Sequence, residues 1–264
     1  MIGQERLVAR LKSYSIATLP HSILITGEFG CGKHTLVNEL RDYFGLDLFY
    51  ITDNLTLEMI EQISERKLPA FYVIDATNIT EKQQNVILKF LEEPSSLVYV
   101  IIICENKASL LETVVNRCVS FEFEPYSKET LLSFISDDVT NESLVLELCN
   151  TPGRIKLVNS AVLHDMNELC KKIIDKIEIA NYANTLSISN KINYDKNFDK
   201  FDIKVFINCL MYNLLSEYKE KNNIKLYEYY NIINKYSNRL SDTRLNKEMI
   251  IENTLTELWQ ESRR

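Results

Sequence analysis

The stretch Gly27-Glu28-Phe29-Gly30-Cys31-Gly32-Lys33 spaces three glycines and a lysine as a phosphate-cradling loop requires. Small residues let successive backbone N–H groups turn inward around a phosphate, while a helix N-terminus and a lysine ammonium add positive potential. Gly27, Gly30, Gly32 and Lys33 meet that demand; the alternative is a plain glycine turn with an exposed lysine. A loop of this kind continues with a Ser or Thr whose hydroxyl holds magnesium. Here His34 stands in that place and Thr35 comes one residue late, which on a helix is a rotation of about 100°. Magnesium prefers oxygen ligands in near-octahedral geometry. His34 therefore reads as a first-turn residue that holds no metal, and ATP is expected to bind weakly or not at all.

Phe71-Tyr72-Val73-Ile74-Asp75 reads as the strand that carries the second element of such a site, with Asp75 at its end to touch magnesium directly or through water. In P-loop ATPases a Glu follows and activates the attacking water; here the next residue is Ala76. Loss of a general base removes a contribution of about 10²- to 10⁴-fold. Thr77 and Asn78 carry no carboxylate, and Glu81 lies too far along the chain to assign. Two departures, His34 and Ala76, point to a chain without efficient hydrolysis.

The elements around these residues alternate. Ser22 to Thr26, Asp47 to Ile51, Ala70 to Asp75, Leu97 to Cys104 and Val119 to Phe123 are apolar runs of strand length, read as strands buried on both faces. Lys33 to Phe44, Thr56 to Glu65 and Thr80 to Glu93 read as helices, the last capped by Thr80 and stopped by Pro94. Such alternation predicts a parallel sheet covered on both faces. After Pro125 the pattern becomes helical: three short helices from Ser127 to about Leu163, then long ones from about Asn167, with the polar stretch Ser187 to Lys200 as a linker or loop. An α/β domain over 1–126, a helical lid over 127–165 and an all-α domain over 166–264 are the expected divisions. Val205, Phe206, Leu210, Leu214 and Leu215 form an apolar stripe that suits either a partner or the domain's own core.

Composition narrows the function. The 264 residues suit about two compact units. Thirty basic and 37 acidic residues leave a net charge of −7, which disfavours a generally basic DNA binder. The apolar run Leu97 to Cys104 is far shorter than the ~20 residues that span a bilayer, and Glu5 and Arg6 interrupt any early signal-like stretch, so a soluble cytoplasmic protein without membrane contact is expected. The cysteines, Cys31, Cys104, Cys118, Cys149, Cys170 and Cys209, include no Cys-x-x-Cys pair. Reduced thiols and no zinc are the expectation.

Several stretches together resemble the clamp-loader branch of the AAA+ family, most closely the delta-prime-type subunits of bacterial DNA polymerase III. They are Ile2-Gly3-Gln4-Glu5, Leu19-Pro20-His21-Ser22, Asn85 to Pro94 with its Leu-Glu-Glu-Pro ending, and Cys104 to Cys118. The last ends in Asn116-Arg117-Cys118, where the family has Ser-Arg-Cys. Thr151-Pro152-Gly153-Arg154 resembles the lid's second sensor region, and Leu245 to Glu252 the last helix of a collar. The resemblance implies a nucleotide-binding AAA+ domain, a small three-helix lid and a helical collar that packs into a hetero-oligomeric ring. Its implied partners are other clamp-loader subunits, a sliding clamp and, through the complex, primer-template DNA. It also implies that Arg117 enters a neighbour's nucleotide site, an effect worth about 10³- to 10⁵-fold in other P-loop enzymes; the alternative is an ordinary helix-end Arg. Arg154 approaches a phosphate in active relatives, or else forms a lid salt bridge. Sensor-one residues are Thr or Asn in active members, whereas Cys104 and Glu105 stand here. An active AAA+ motor ATPase and an interaction scaffold with a vestigial P-loop are the competing readings.

Overall fold

The computed structural model describes residues 1–51, 56–77, 79–92, 95–137, 139, 141–158, 160–179, 181–183, 185, 187, 202–240 and 246–264. They form two compact units, Met1–Tyr126 and Ser127–Arg264. The first contains, in order, α1 (Glu5–Lys12), β1 (Ser22–Thr26), α2 (Lys33–Phe44), β2 (Asp47–Ile51), α3 (Leu57–Ser64), β3 (Ala70–Asp75), α4 (Glu81–Glu92), β4 (Val98–Cys104), a 3₁₀ turn (Lys107–Ser109), α5 (Glu112–Val115) and β5 (Val119–Glu122).

All strand pairs are parallel, in the order β2-β3-β4-β1-β5. Alternation along each strand splits the apolar side chains between two cores. Ile23, Ile25, Phe71, Val73, Tyr99, Ile101 and Ile103 pack with Leu7 and Leu11 of α1 and Leu36, Val37 and Leu40 of α2. Leu24, Tyr72, Ile74, Val100, Ile102 and Cys104 pack with Ile60 and Ile63 of α3, Ile87 and Phe90 of α4 and Val114 of α5. The parallel sheet covered on both faces is as expected. Burial on both faces holds for β1, β3 and β4, but β2 and β5 are mostly exposed. The apolar run of β2 does not reveal that it is an edge, which is a property of strand order, whereas Ser120 and Glu122 already alternate with Val119 and Phe121 in β5. The sequence reading also passed over α1, whose signal is the apolar spacing of Leu7, Val8 and Leu11.

Helix starts follow local chemistry. Thr56 caps α3 by accepting from the Met59 N–H at 3.2 Å. Thr80 and Gln83 form a reciprocal cap on α4: the Gln83 N–H donates to the Thr80 hydroxyl at 3.3 Å, and the Gln83 side chain accepts from the Thr80 N–H at 2.9 Å. The expected stop at Pro94 lies outside the described residues, as do Glu93 and Asn78.

The described elements of the second unit are helical: α6 (Lys128–Leu132), α7 (Glu142–Leu148), α8 (Pro152–Leu157), α9 (Ser160–Ile177), α10 (Ile203–Lys221), α11 (Ile224–Ser237) and α12 (Lys247–Ser262). Helix α9 starts before Asn167 because Leu163 and Met166 already belong to the stripe that Cys170, Ile173, Ile174 and Ile177 continue. It runs unbroken through position 165. Of the expected linker, residues 188–200 lie outside the described residues, as does Leu245. Val205, Phe206, Leu210 and Leu214 are buried within this unit. No helix among the described residues is long and apolar enough to cross a membrane.

Asp202 joins two parts of the second unit. One carboxylate oxygen caps α10 through the Lys204 and Val205 N–H groups, and the other accepts from Arg154 Nε at 3.1 Å. Arg154 also donates to the Asn150 side chain at 2.9 Å, and both charges are largely withdrawn from solvent, with side chains 5% and 13% exposed. Removing one partner strands the other in a poorly hydrated place. Arg154→Ala is expected to destabilise the second unit by about 3–5 kcal/mol, measured by denaturant unfolding, whereas Lys128→Ala, which breaks an exposed pair with Glu147, costs at most about 1 kcal/mol.

Candidate functional site

The polypeptide leaves the buried end of β1 at Thr26 and reverses into α2 through the glycine loop. The Gly27 N–H donates to the Cys104 carbonyl at 3.2 Å, tying the loop to the end of β4. A Cβ at Gly27 would lie 2.7 Å from Cys31 Sγ and 2.8 Å from Phe123 Cβ, so the loop closes only around a glycine. Gly32, the residue that caps α2, has φ +104°, a left-handed conformation that side chains rarely adopt. The Tyr126 hydroxyl donates to the Cys31 carbonyl at 2.6 Å. Burial pushes that phenol up to about 12, so it remains a donor at neutral pH. Buried Gln4 exchanges hydrogen bonds of 2.7 and 3.0 Å with the Glu124 main chain and fixes the segment leading to Tyr126.

Lys33 opens α2 and is 8% exposed. Its ammonium donates to the Gly27 and Glu28 carbonyls at 2.6 and 3.0 Å and sits 4.0 Å from Cys31 Sγ. The glycine cradle, the helix start and Lys33 together suit a phosphate. Such a phosphate would compete with two carbonyls for the ammonium, which lowers its affinity. Burial raises the Cys31 thiol, with the Lys33 charge opposing that shift.

Next to Lys33, His34 and Thr35 are exposed on the first turn of α2. The imidazole Nε2 of His34 lies 3.6 Å from Asp75 Oδ2, at the end of β3, and its ring centre lies 5.6 Å from that of Tyr50 on β2. Thr77 holds the other Asp75 oxygen, through its N–H at 3.0 Å and its hydroxyl at 2.6 Å. Ala76 is 2% exposed and its methyl belongs to the core that α3 and α4 cover. The strand order thus brings Asp75 to the glycine loop, while the donors around it do not fit magnesium: an imidazole stands where a hydroxyl oxygen is needed, and no carboxylate follows Asp75. Cys104 faces the same apolar core, where burial pushes its thiol up to about 11. Glu105 is only partly buried beside it.

Arg117 follows α5, where Asn116 closes the helix by donating its N–H to Glu112 O at 2.9 Å. The Arg117 guanidinium pairs with Glu92 of α4 at 2.7 Å and donates to the Thr113 carbonyl at 2.9 Å, with its side chain 37% exposed. Cys118 packs against the core beside it, its thiol pushed up to about 12 by burial. Sequence reading missed what holds this segment. Gln84 of α4, 5% exposed, donates to Ser109 O at 3.2 Å and accepts from the Leu111 N–H at 2.7 Å, so α4 grips both the start of α5 and the residue beyond its end. The available signal was a polar side chain in the stripe that Ile87 and Leu91 continue. Tyr126 carries no such signal, and Gln4 and Glu92 stand out in the sequence only as members of the stretches that resemble the family. Arg154 lies in the second unit, in its ion pair with Asp202.

The family described as "DNA polymerase III, delta subunit" matches residues 51–127. The replication factor C small subunit of Aeropyrum pernix is 26% identical over 165 residues, 56% of this chain and 50% of that protein. The DNA polymerase III subunit gamma of Buchnera aphidicola subsp. Baizongia pistaciae is 22% identical over 183 residues, 56% of this chain and 50% of that protein. The chain thus spans about half the length of these relatives. Among solved structures, a DNA polymerase III gamma subunit-related protein of Thermotoga maritima has a TM-score of 0.47 at 16% identity, over 98% of this chain and 99% of that one. The glycine loop, with His34 and Ala76 in place of a hydroxyl and a carboxylate, lies in a chain whose sequence relationships, each below 30% identity and partial in length, support the clamp-loader branch of the AAA+ family.

Proposed function

We propose that this chain is a delta-prime-type clamp-loader subunit in DNA replication, one that hydrolyses ATP poorly itself and supplies Arg117 to the nucleotide site of a neighbouring subunit. The observation that carries this reading is the contrast between two ends of one unit. At the glycine loop the metal hydroxyl and the water-activating carboxylate are replaced by His34 and Ala76, and Lys33 is bonded to main-chain carbonyls. At α5, Arg117 stays partly exposed and pairs with a carboxylate, Glu92, that is itself 49% exposed. An exposed pair contributes about 0–1 kcal/mol, so a phosphate of a neighbour could displace Glu92 at little cost.

A guanidinium supplied in trans stabilises charge on the transferring phosphoryl oxygens through paired donors that lysine cannot match. In this reading the motor subunits and a sliding clamp are the partners, primer-template DNA is reached through the complex, and the subunit works in the cytoplasm. Residues 127–165 act as a lid and 166–264 as the ring-forming collar, with α9 continuous between them. Gly27, Gly30, Gly32 and Lys33 would hold a phosphate of ATP, with His34, Thr35 and Asp75 beside it. A second reading, a scaffold whose loop takes no nucleotide, draws support from the two carbonyls that engage Lys33.

The isolated chain should hydrolyse ATP about 10²- to 10⁴-fold more slowly than a motor subunit. In a complex with a motor-type subunit, Arg117→Ala should lower stimulated ATPase by about 10³-fold or more with assembly unchanged on gel filtration, while Lys33→Ala leaves that rate intact. Turnover by the isolated protein at motor-subunit rates, abolished by Lys33→Ala, would show an active ATPase instead. Equilibrium dialysis at millimolar ATP separates the scaffold: saturable binding that Lys33→Ala abolishes rules it out, and no binding with Arg117-dependent stimulation intact confines the chain's chemistry to Arg117.

A further inference from the structure

His34 and Asp75 form a pair of donors with a defined bite. They come from different elements, α2 and β3, and their Nε2 and Oδ2 atoms face each other at 3.6 Å. Two ligands about 2.1 Å from a shared tetrahedral metal stand about 3.4 Å apart, so the pair needs to close by only a few tenths of an ångström. Both side chains are about half exposed, at 55% and 48%, which leaves an ion a path to them. The Asp75 carboxylate is oriented: Thr77 occupies Oδ1 with two hydrogen bonds and leaves Oδ2 toward the imidazole. A ligand carboxylate held by an outer hydroxyl is the arrangement that tunes metal sites. Tyr50 stands on a further side of the imidazole.

The donors that do not fit magnesium suit a different ion. Imidazole nitrogen with carboxylate oxygen is a ligand set for zinc, cobalt and neighbouring divalent transition metals. Among the described residues no group of three or more His, Cys, Asp or Glu forms a metal cage, so two protein ligands require the rest from elsewhere. The adjoining loop supplies a location for them, since phosphate oxygens held by Gly27 to Lys33 would lie next to His34 in the chain.

We propose that His34 and Asp75 are a two-residue platform for an imidazole-accepting divalent transition metal, completed by water or by the phosphates of a nucleotide, so that this P-loop prefers a cobalt- or zinc-loaded nucleotide to a magnesium-loaded one. The nucleotide half rests on the reading that the loop takes a phosphate. The metal half does not.

The test has two arms on the full chain, at about pH 7.5 because a ligating imidazole must be neutral. In the first, Co²⁺ alone is titrated while histidine side-chain NMR signals are followed. Paramagnetic shifts should appear at His34 and not at His21 or His164, should vanish in Asp75→Asn, and should need about tenfold more Co²⁺ or higher in Thr77→Ala. The absence of a His34 effect, or one unchanged in Asp75→Asn, overturns the platform. In the second arm, calorimetry measures ADP binding with Co²⁺, with Mg²⁺ and with chelator. Tighter binding with Co²⁺ than with Mg²⁺, lost in His34→Ala and reversed in His34→Ser, is the expected result. Equal affinities with the two metals overturn the preference. No ADP binding under any condition overturns the phosphate reading, and the first arm then decides the platform by itself.

Discussion

Parallel pairing of the three buried strands is the constraint from which the chemistry of the first unit follows. Thr26 is in register with Cys104, and Asp75 with Ile103, so β1, β4 and β3 finish side by side. The chain goes from β1 to β2 at the far edge, returns through β3 and β4, and then crosses to place β5 on the other side of β1. That reversal opens the crevice at the carboxyl ends of the strands where open α/β sheets bind ligands. The glycine loop and Asp75 both lie there because their strands are pinned in register by two apolar cores.

The same packing places Arg117 by a different route. Helix α4 buries Ile87 and Phe90 against the sheet, and from that anchored position Gln84 holds the entry to α5 while Glu92 pairs with the arginine after it. A buried amide and an exposed ion pair do different work. The amide would leave main-chain groups unsatisfied if lost, whereas the ion pair is weak enough to be exchanged for another anion. Arg154 is the contrast. Its charge is buried against Asp202 and Asn150, which makes it a structural tie within the second unit.

Replacing a hydroxyl by an imidazole at position 34 changes the site's donor chemistry with little effect on the fold, because the side chain is about half in solvent and the loop's shape depends on Gly27, Gly32 and Tyr126. Ala76 is the opposite case, a methyl seated in the core at the place where an ATPase would need a carboxylate. The two changes together take away a hydroxyl oxygen and a carboxylate, and they leave the glycine loop in place.

The order of the strands and of α2, α3 and α4 between them, the parallel α/β sheet followed by helices, and the identity of the loop residues were legible in the amino-acid sequence, because apolar runs of strand length, helical spacing and a glycine motif are local patterns. So was the absence of a hydroxyl at His34 and of a carboxylate at Ala76. Three things belong to the tertiary structure. Strand order made β2 an edge although its Leu-Phe-Tyr-Ile run is as apolar as the central strands. Packing brought Gln84, Glu92 and Tyr126 to their partners across 27, 25 and 95 positions of chain. Register set His34 against Asp75, 41 positions away. Contacts at such separations are decided by how sheets and helices close on one another, and no local pattern encodes that closure.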